Sequence, residues 1–218
     1  MAPQEPQWRI DMAGNVLIAC ERSQEIAMAF RRLGYSAFSC DIAGSYGGHP
    51  EYHIIDDAAR VVQGHGVWVT EGGKPICVEQ NWDMIIAHPP CTMLTHSSAV
   101  AFAKGTHSYI DLLEGARFFL LMLSAPARFV CVENPAPLGA AQLPPYSQII
   151  NPYDFGHPFS KRWCLWLRGL PPLLPTHARF LQHKQWLKHC ASNSRRRSHT
   201  FSGVAAAMAE QWGPLLKV

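Results

Sequence analysis

The sequence has few charged residues and no long uninterrupted hydrophobic run. Charged residues make up 16% of the 218 residues and hydrophobic residues 48%, with a net charge of +3. This balance excludes a disordered chain, and the small positive charge permits a nucleic-acid partner without requiring one. The most apolar stretch, residues 112–132, is interrupted by Glu114, Arg117 and Arg128, and residues 1–15 lack the apolar centre of a signal peptide. We therefore expect no contact with a membrane.

The sequence also lacks a cysteine motif. Its seven cysteines are scattered, and no two of them form a Cys-x-x-Cys pair. An odd number without such spacing disfavours both a disulfide framework and a zinc site built on cysteine pairs. These features predict a reduced protein of the cytoplasm.

A third absence concerns glycine. The pattern Gly-x-Gly-x-x-Gly, which binds the pyrophosphate of dinucleotides, does not occur anywhere in the chain. Its absence disfavours an ordinary dinucleotide-dependent oxidoreductase.

Short apolar runs alternate with helical patterns along the chain. The runs predict strands at residues 15–20, 36–40, 82–87, 128–132 and 163–167. Helices are predicted at residues 23–33, 57–62, 109–123 and 203–212, with a small hairpin within 64–80. This alternation indicates an α/β fold with a mostly parallel sheet flanked by helices. We expect a loose leader at 1–14 and a single domain at 15–218, with a short basic insertion at about 176–200.

Polar residues follow several of the predicted strands directly. Glu21, Asp41, the turn that ends at Cys91, and Glu133 all occupy such positions. Ligands of open α/β sheets bind outside the carboxyl ends of the strands, so these residues are expected at one site.

Asp41 ends the second predicted strand. An acid at that place can accept hydrogen bonds from the ribose of a nucleotide-type cofactor. The alternative for a single Asp is a helix cap or a solvated loop position.

The stretch AHPPCT contains the candidate nucleophile, Cys91. Two prolines fix the backbone before this cysteine, and a thiol held rigidly at a strand end suits covalent catalysis. His88 and His96 are close in sequence and would favour the thiolate. A buried structural cysteine is the alternative, while a zinc site made of His88, Cys91 and His96 matches no familiar ligand spacing.

The stretch VENP places Glu133 at the end of an apolar strand, in a partly dry environment. A carboxyl group in such a place tends to keep or share a proton, which suits contact with a ring nitrogen. The alternative is a helix-capping or salt-bridged Glu.

Together, the Pro-Pro-Cys and Glu-Asn turns resemble those of the cytosine-specific, carbon-5 DNA methyltransferases, especially the short members from phages and prophages. The likeness extends from about Val16 to Trp212. It implies a Rossmann-like, S-adenosylmethionine-dependent methyltransferase fold in a bacterial or phage-infected host. It also implies S-adenosylmethionine as cofactor, and DNA as substrate, either a duplex with a flipped cytosine or a single strand.

The resemblance assigns three catalytic residues. Cys91 adds to carbon 6 of cytosine, Glu133 contacts ring N3 and the exocyclic amine, and Lys161 stands where the family has an arginine that holds the cytosine carbonyl. The substrate-binding residues that it implies are Pro90, Thr92, Asn134 and Arg162. Among these, Asn134 supports the Glu-Asn turn, and Thr92 replaces the glutamine usual in the family.

The resemblance also assigns a cofactor site. The stretch VLIACERSQ takes the place of the family's glycine-rich loop, but it contains no Gly-x-Gly. Asp57 corresponds to an acid that contacts adenine. The complete set of implied cofactor-binding residues is Ala19, Cys20, Glu21, Ser23, Asp41, Ile42, Asp57 and Pro89.

If the resemblance holds, DNA recognition depends on a short segment. Only Thr176–Thr200 stands where the family has a sizeable recognition domain, so a separate partner is expected to contribute. Arg195 and Arg196 are predicted to hold phosphates, with a solvated loop as the alternative. Two further alternatives are modification of a nucleotide or of phage DNA with another group, and a non-catalytic DNA-binding relative.

Overall fold

The computed structural model of the protein describes residues 14–177, 188–189 and 200–217. The strands are β1 (Asn15–Ala19), β2 (Ser36–Asp41), β3 (His53–Ile55), β4 (Gly66–Val69), β5 (Pro75–Val78), β6 (Met84–Ala87), β7 (Phe129–Asn134), β8 (Gln148–Ile150), β9 (Phe159–Ser160), β10 (Trp163–Arg168) and β11 (Lys188–His189). The helices are α1 (Glu25–Arg32), α2 (Ala58–Val61), α3 (Ala99–Ala103), α4 (Tyr109–Leu123) and α5 (Ser202–Trp212). Short 3₁₀ turns occupy Pro50–Tyr52, His96–Ser98, Gly139–Ala141, Pro152–Phe155 and Gly213–Lys217.

Seven strands form the central sheet, in the order β3-β2-β1-β6-β7-β10-β8. Strands β3, β2, β1, β6 and β7 pair in parallel, whereas β10 is antiparallel to both β7 and β8. The order reverses between β1 and β6, which is where doubly wound sheets bind their ligands. The predicted α/β fold, with a Rossmann-like, mostly parallel sheet flanked by helices, is confirmed.

Alternating residues of the buried strands pack on opposite faces of the sheet. On β1, Leu17 belongs to the cluster that contains Phe119 of α4, whereas Ile18 belongs to the cluster with Phe30 of α1 and Trp212 of α5. Since both faces are covered, the strands are apolar throughout, as expected for parallel strands. The polar residues at the strand ends are consequently brought to the edges of the sheet.

The structure adds detail that the sequence patterns did not predict. All the predicted strands and helices, and the hairpin (β4 and β5), are present with small shifts at their ends. The short strands β3 and β8 were not predicted, because three residues are too few to show a period. The predicted leader lies outside the described residues except for Gly14, and so does most of the predicted basic insertion.

Two kinds of feature are absent from the part of the chain that the structure describes. No helix among them combines the length and apolarity needed to cross a bilayer. Within the same part of the chain, no three His, Cys, Asp or Glu side chains come together as a possible metal site.

Candidate functional site

The candidate site lies at the carboxyl edge, which we define as the edge where the parallel strands β1, β2, β6 and β7 end. Because β10 runs in the opposite direction, it begins at this edge. The turns after β6 and β7 and the residues just before β10 are therefore neighbours in space.

Asn134 connects the two motifs. Its side-chain Nδ2 donates to the carbonyl oxygen of Pro89 at 2.9 Å, and the residue is only 1% exposed. Its Oδ1 is also buried and accepts no hydrogen bond from the described residues. The contact holds the turn that leads into Cys91 against the end of β7.

His88 contacts Glu133 directly. The ring Nδ1 lies 3.1 Å from Glu133 Oε2, and the two side chains are 14% and 12% exposed. In the register of β6 and β7, Ala87 pairs with Val132, so the next residues along the two strands are opposite each other. Sequence reasoning placed His88 only beside Cys91 and missed this contact, because the register of the two strands was unknown.

Cys91 is half-buried at the start of a turn. Its carbonyl oxygen accepts a hydrogen bond from the backbone nitrogen of Leu94 at 3.0 Å. The flanking Pro90 and Thr92 are exposed. Cys91 thus follows a turn whose backbone is held in place by the hydrogen bond between Asn134 and Pro89.

Four other thiols of the chain are less acidic than an ordinary cysteine. Burial raises the pKa of Cys20 to about 12, and it raises the pKa values of Cys40, Cys131 and Cys164 as well. A thiol that stays protonated is a poor nucleophile. These four cysteines are therefore unsuited to covalent catalysis.

The loop after β1 has a backbone typical of glycine, although glycine is absent from it. Cys20 and Gln24 have φ values of 59° and 61°, in the left-handed region that side chains disfavour. The Gln24 side chain exchanges two hydrogen bonds with the backbone of His49, at 2.8 and 3.0 Å. At Gly47 a Cβ atom would collide with the carbonyl oxygen of Ser23, so glycine is required there. The loop after β2 therefore packs closely on the loop after β1.

Glu21 occupies the N-terminus of α1. Its carboxylate accepts hydrogen bonds from the backbone nitrogens of Ile26 at 2.9 Å and Ala27 at 3.3 Å, and from the hydroxyl of Ser23 at 3.1 Å. Burial raises the pKa of this carboxyl, while the bonds to α1 and the charge of His88 oppose the rise. Glu21 and Ser23 are 3% and 8% exposed, so their polar atoms are directed at the protein itself.

Two acids surround Cys20. Burial is the main cause of its raised pKa, and the charges of Asp41 and Asp57 raise the pKa further. Asp41 Oδ1 accepts from the backbone nitrogen of Ala43 at 3.0 Å, and Asp57 caps α2 by accepting from Ala59 at 2.9 Å. Ile42 is 79% exposed beside them. The structure thus brings two carboxylates and an exposed apolar side chain together.

Lys161 and Arg162 precede β10 at the same edge. The Lys161 Nζ lies 4.8 Å from the centre of the Trp163 ring, and Arg162 is exposed. Ala19 is buried at the end of β1. Arg195 and Arg196, predicted to hold phosphates, lie outside the described residues.

An open surface depression of about 520 Å³ lies away from these residues, at the amino ends of β6 and β7. Its lining includes His65, Asn81, Asp83 and Arg128. None of its lining residues is a cysteine, serine or threonine.

No family model and no curated sequence matches the chain. Solved structures do match it, including a methyltransferase of Entamoeba histolytica with 16% identity and a TM-score of 0.38. That match covers 72% of this chain and 53% of the other. A second is encoded within an E. coli prophage and named as a DNA modification methyltransferase, with 13% identity, a TM-score of 0.36, and 70% and 45% of the two chains covered. The chain thus spans about half the length of the two proteins.

Proposed function

We propose that the protein transfers a methyl group from S-adenosylmethionine to carbon 5 of cytosine in DNA, through a covalent adduct with Cys91. The observation that carries this proposal is the hydrogen bond from Asn134 to Pro89. It holds the turn of Cys91 against β7, the strand that contains Glu133. A fixed thiol and a carboxyl group on one edge are the minimum that addition to a pyrimidine ring requires.

The reaction uses both groups in turn. The Cys91 sulfur forms a bond to carbon 6, while Glu133 stabilises the charge that develops at ring N3. Carbon 5 thereby becomes nucleophilic and would take the methyl group from the sulfonium of the bound cofactor, whose sulfur would leave as a neutral thioether. Solvent water would then take the proton from carbon 5, the electron pair would re-form the double bond between carbons 5 and 6, and Cys91 would leave as the thiolate. Lys161, at the same edge, would hold the cytosine carbonyl.

S-adenosylmethionine supplies an electrophilic methyl group, and the nucleoside end of the molecule fits the residues near Cys20. Asp41 would accept from the ribose hydroxyls, Asp57 would face the adenine amine, and the exposed side chain of Ile42 would cover the base.

The amino-acid end fits less well. The free backbone N–H groups at a helix N-terminus attract anions, but in α1 the carboxylate of Glu21 already occupies them. A cofactor carboxylate must therefore bind elsewhere.

This occupied helix terminus favours a second candidate function, which is modification of a pyrimidine with a group other than methyl. The donor of that group would lack the amino-acid carboxylate of S-adenosylmethionine, and the attack by Cys91 on the ring would be the same. A non-catalytic DNA-binding relative would equally tolerate the arrangement of Glu21.

The test is expression in a bacterial host, followed by mass spectrometry of DNA nucleosides and bisulfite sequencing. We expect 5-methylcytosine above the level of a host that expresses Cys91→Ala. A different modified pyrimidine would favour the other donor, and unmodified DNA would overturn the catalytic proposal.

A second experiment examines the covalent step. Purified protein with S-adenosylmethionine and DNA containing 5-fluorocytosine should form an adduct that survives denaturing electrophoresis. The fluorine atom cannot leave as a proton does, so the bond between sulfur and carbon 6 persists. Omission of the cofactor serves as the control.

A further inference from the structure

His88 lies between two carboxyl groups at the carboxyl edge. Its Nδ1 is 3.1 Å from Glu133 Oε2, and its ring is close enough to Glu21 for its charge to lower the pKa of that carboxyl. The mechanism proposed above uses Glu133 but gives His88 no role.

The unpartnered ring nitrogen indicates which tautomer is present. The Nε2 of His88 is buried and has no hydrogen-bond partner among the described residues. A buried N–H without an acceptor is rarer in proteins than an acceptor without a donor. Because an ionised carboxylate only accepts hydrogen bonds, the proton of the neutral imidazole is on Nδ1, from which it is donated to Glu133 Oε2.

The backbone of His88 is fixed on both sides. Its nitrogen donates to the carbonyl oxygen of Ala19 at 2.9 Å, which extends the pairing of β1 and β6 by one residue. Pro89, which accepts from Asn134, follows directly. The imidazole is thus a rigid donor, as positioning of a reacting group requires.

We propose that His88 is a positioning residue that acts through Glu133. By donating from Nδ1 to Oε2 it fixes the orientation of the carboxyl group, so that Oε1 faces the cytosine ring. This inference rests on the proposed function, and it adds a residue that contacts neither substrate nor cofactor.

The kinetic test compares His88→Ala with His88→Asn. The side-chain nitrogen of Asn lies near the place of Nδ1 and retains a donor to Glu133, whereas Ala removes it. We expect the single-turnover rate of methyl transfer to fall about 10- to 100-fold in His88→Ala, with little change in the KM for DNA. His88→Asn should recover most of the rate. Equal loss in both variants, or no loss in His88→Ala, would overturn the proposal.

A third variant separates positioning from general support of the fold. In a Glu133→Ala background, His88→Ala should cause little further loss, because the group that His88 positions is gone. Independent, multiplicative losses would contradict the proposed link between the two residues.

Nitrogen NMR of the free wild-type protein tests the hydrogen bond without any need for activity. With the signals assigned by comparison with His88→Asn, we expect the ring proton on Nδ1. A proton on Nε2 with a bare Nδ1 would overturn the inference. If the wild type transfers no methyl group, the proposed function fails and this spectrum still decides the role of Nδ1 as donor.

Discussion

The side chain of Asn134 donates to the carbonyl oxygen of Pro89 across 2.9 Å, and this bond joins β7 to the turn before Cys91. Both residues are buried, so no water can readily replace the lost partner if either is changed. A single amide group therefore links the stability of this edge to the placement of the thiol.

The first prediction concerns Asn134→Ala. It leaves the buried carbonyl of Pro89 without its donor, which should lower the free energy of unfolding by about 1–3 kcal/mol. Methyl transfer should fall as well, because the turn before Cys91 loses its anchor. Urea unfolding measures the first effect, with Asn81→Ala, at an exposed position, as the control. Equal stability of the two variants would contradict the anchoring role.

Cys91→Ala should abolish both methyl transfer and the 5-fluorocytosine adduct. The residue is half-buried and its replacement is small, so the melting temperature should stay close to that of the wild type. The matched control is Cys77→Ala in the hairpin, which removes another half-buried thiol far from the carboxyl edge. An active Cys91→Ala protein would overturn the assignment of the nucleophile.

The cofactor site can be tested by calorimetry. Asp41→Asn removes the charge of the predicted ribose acceptor, and Ile42→Ser removes the exposed apolar surface predicted to cover adenine. We expect the Kd for S-adenosylmethionine to rise roughly tenfold or more in Asp41→Asn, because hydrogen bonds to charged groups are among the stronger ones. Val67→Ser changes an equally apolar, 66% exposed position of the hairpin and should bind normally. Unchanged affinity in both test variants would place the cofactor elsewhere.

Glu21 predicts a pH dependence of stability. Its pKa in the folded protein is raised above the ordinary value of 4.5, chiefly by burial, so between that value and its folded pKa the folded state binds more protons than the unfolded state. The contribution of Glu21 is therefore fully present below about pH 4.5 and is lost as the pH rises through the folded pKa.

In Glu21→Gln this loss should be absent. The free energy of unfolding of the wild type, relative to the variant, should fall as the pH is raised from 4.5 through the folded pKa of Glu21 in urea titrations. Gln63→Ala removes an exposed residue without an ionisable group, and its curve should run parallel to that of the wild type. A parallel curve for Glu21→Gln would contradict the burial argument.

Much of the fold was predictable from the sequence because the buried strands are visible as continuous apolar runs. NVLIA and MIIA are continuous apolar runs, and each has a helical pattern after it, so an α/β sheet was predictable. The direction of β10 was not predictable, since an apolar strand reads the same in either direction. Its pairing with β7 depends on long-range packing that leaves no local signal.

The candidate site was predictable in its residues but not in their partners. Cys91, Glu133 and Asp41 stand out as polar groups at strand ends. That the buried Glu21 carboxylate accepts from the first backbone nitrogens of α1 was not predictable, because nothing in the local sequence shows whether this side chain faces solvent. The link between His88 and Glu133 required the register of two strands that are 45 residues apart.

The reversed direction of β10 also determines which connection of the chain is available for changing the choice of substrate. The strand leaves the carboxyl edge at Trp163, yet the chain returns there, because Lys188 and His189 of β11 pair with β9 next to Lys161. The backbone nitrogen of Gly203, in the first turn of α5, donates to Nε2 of His157, which lies two residues before β9, at 2.9 Å. Any redesign of substrate choice in the connection between β10 and β11 has to keep Leu170 and Leu173, because both belong to the buried cluster that contains Trp212 of α5.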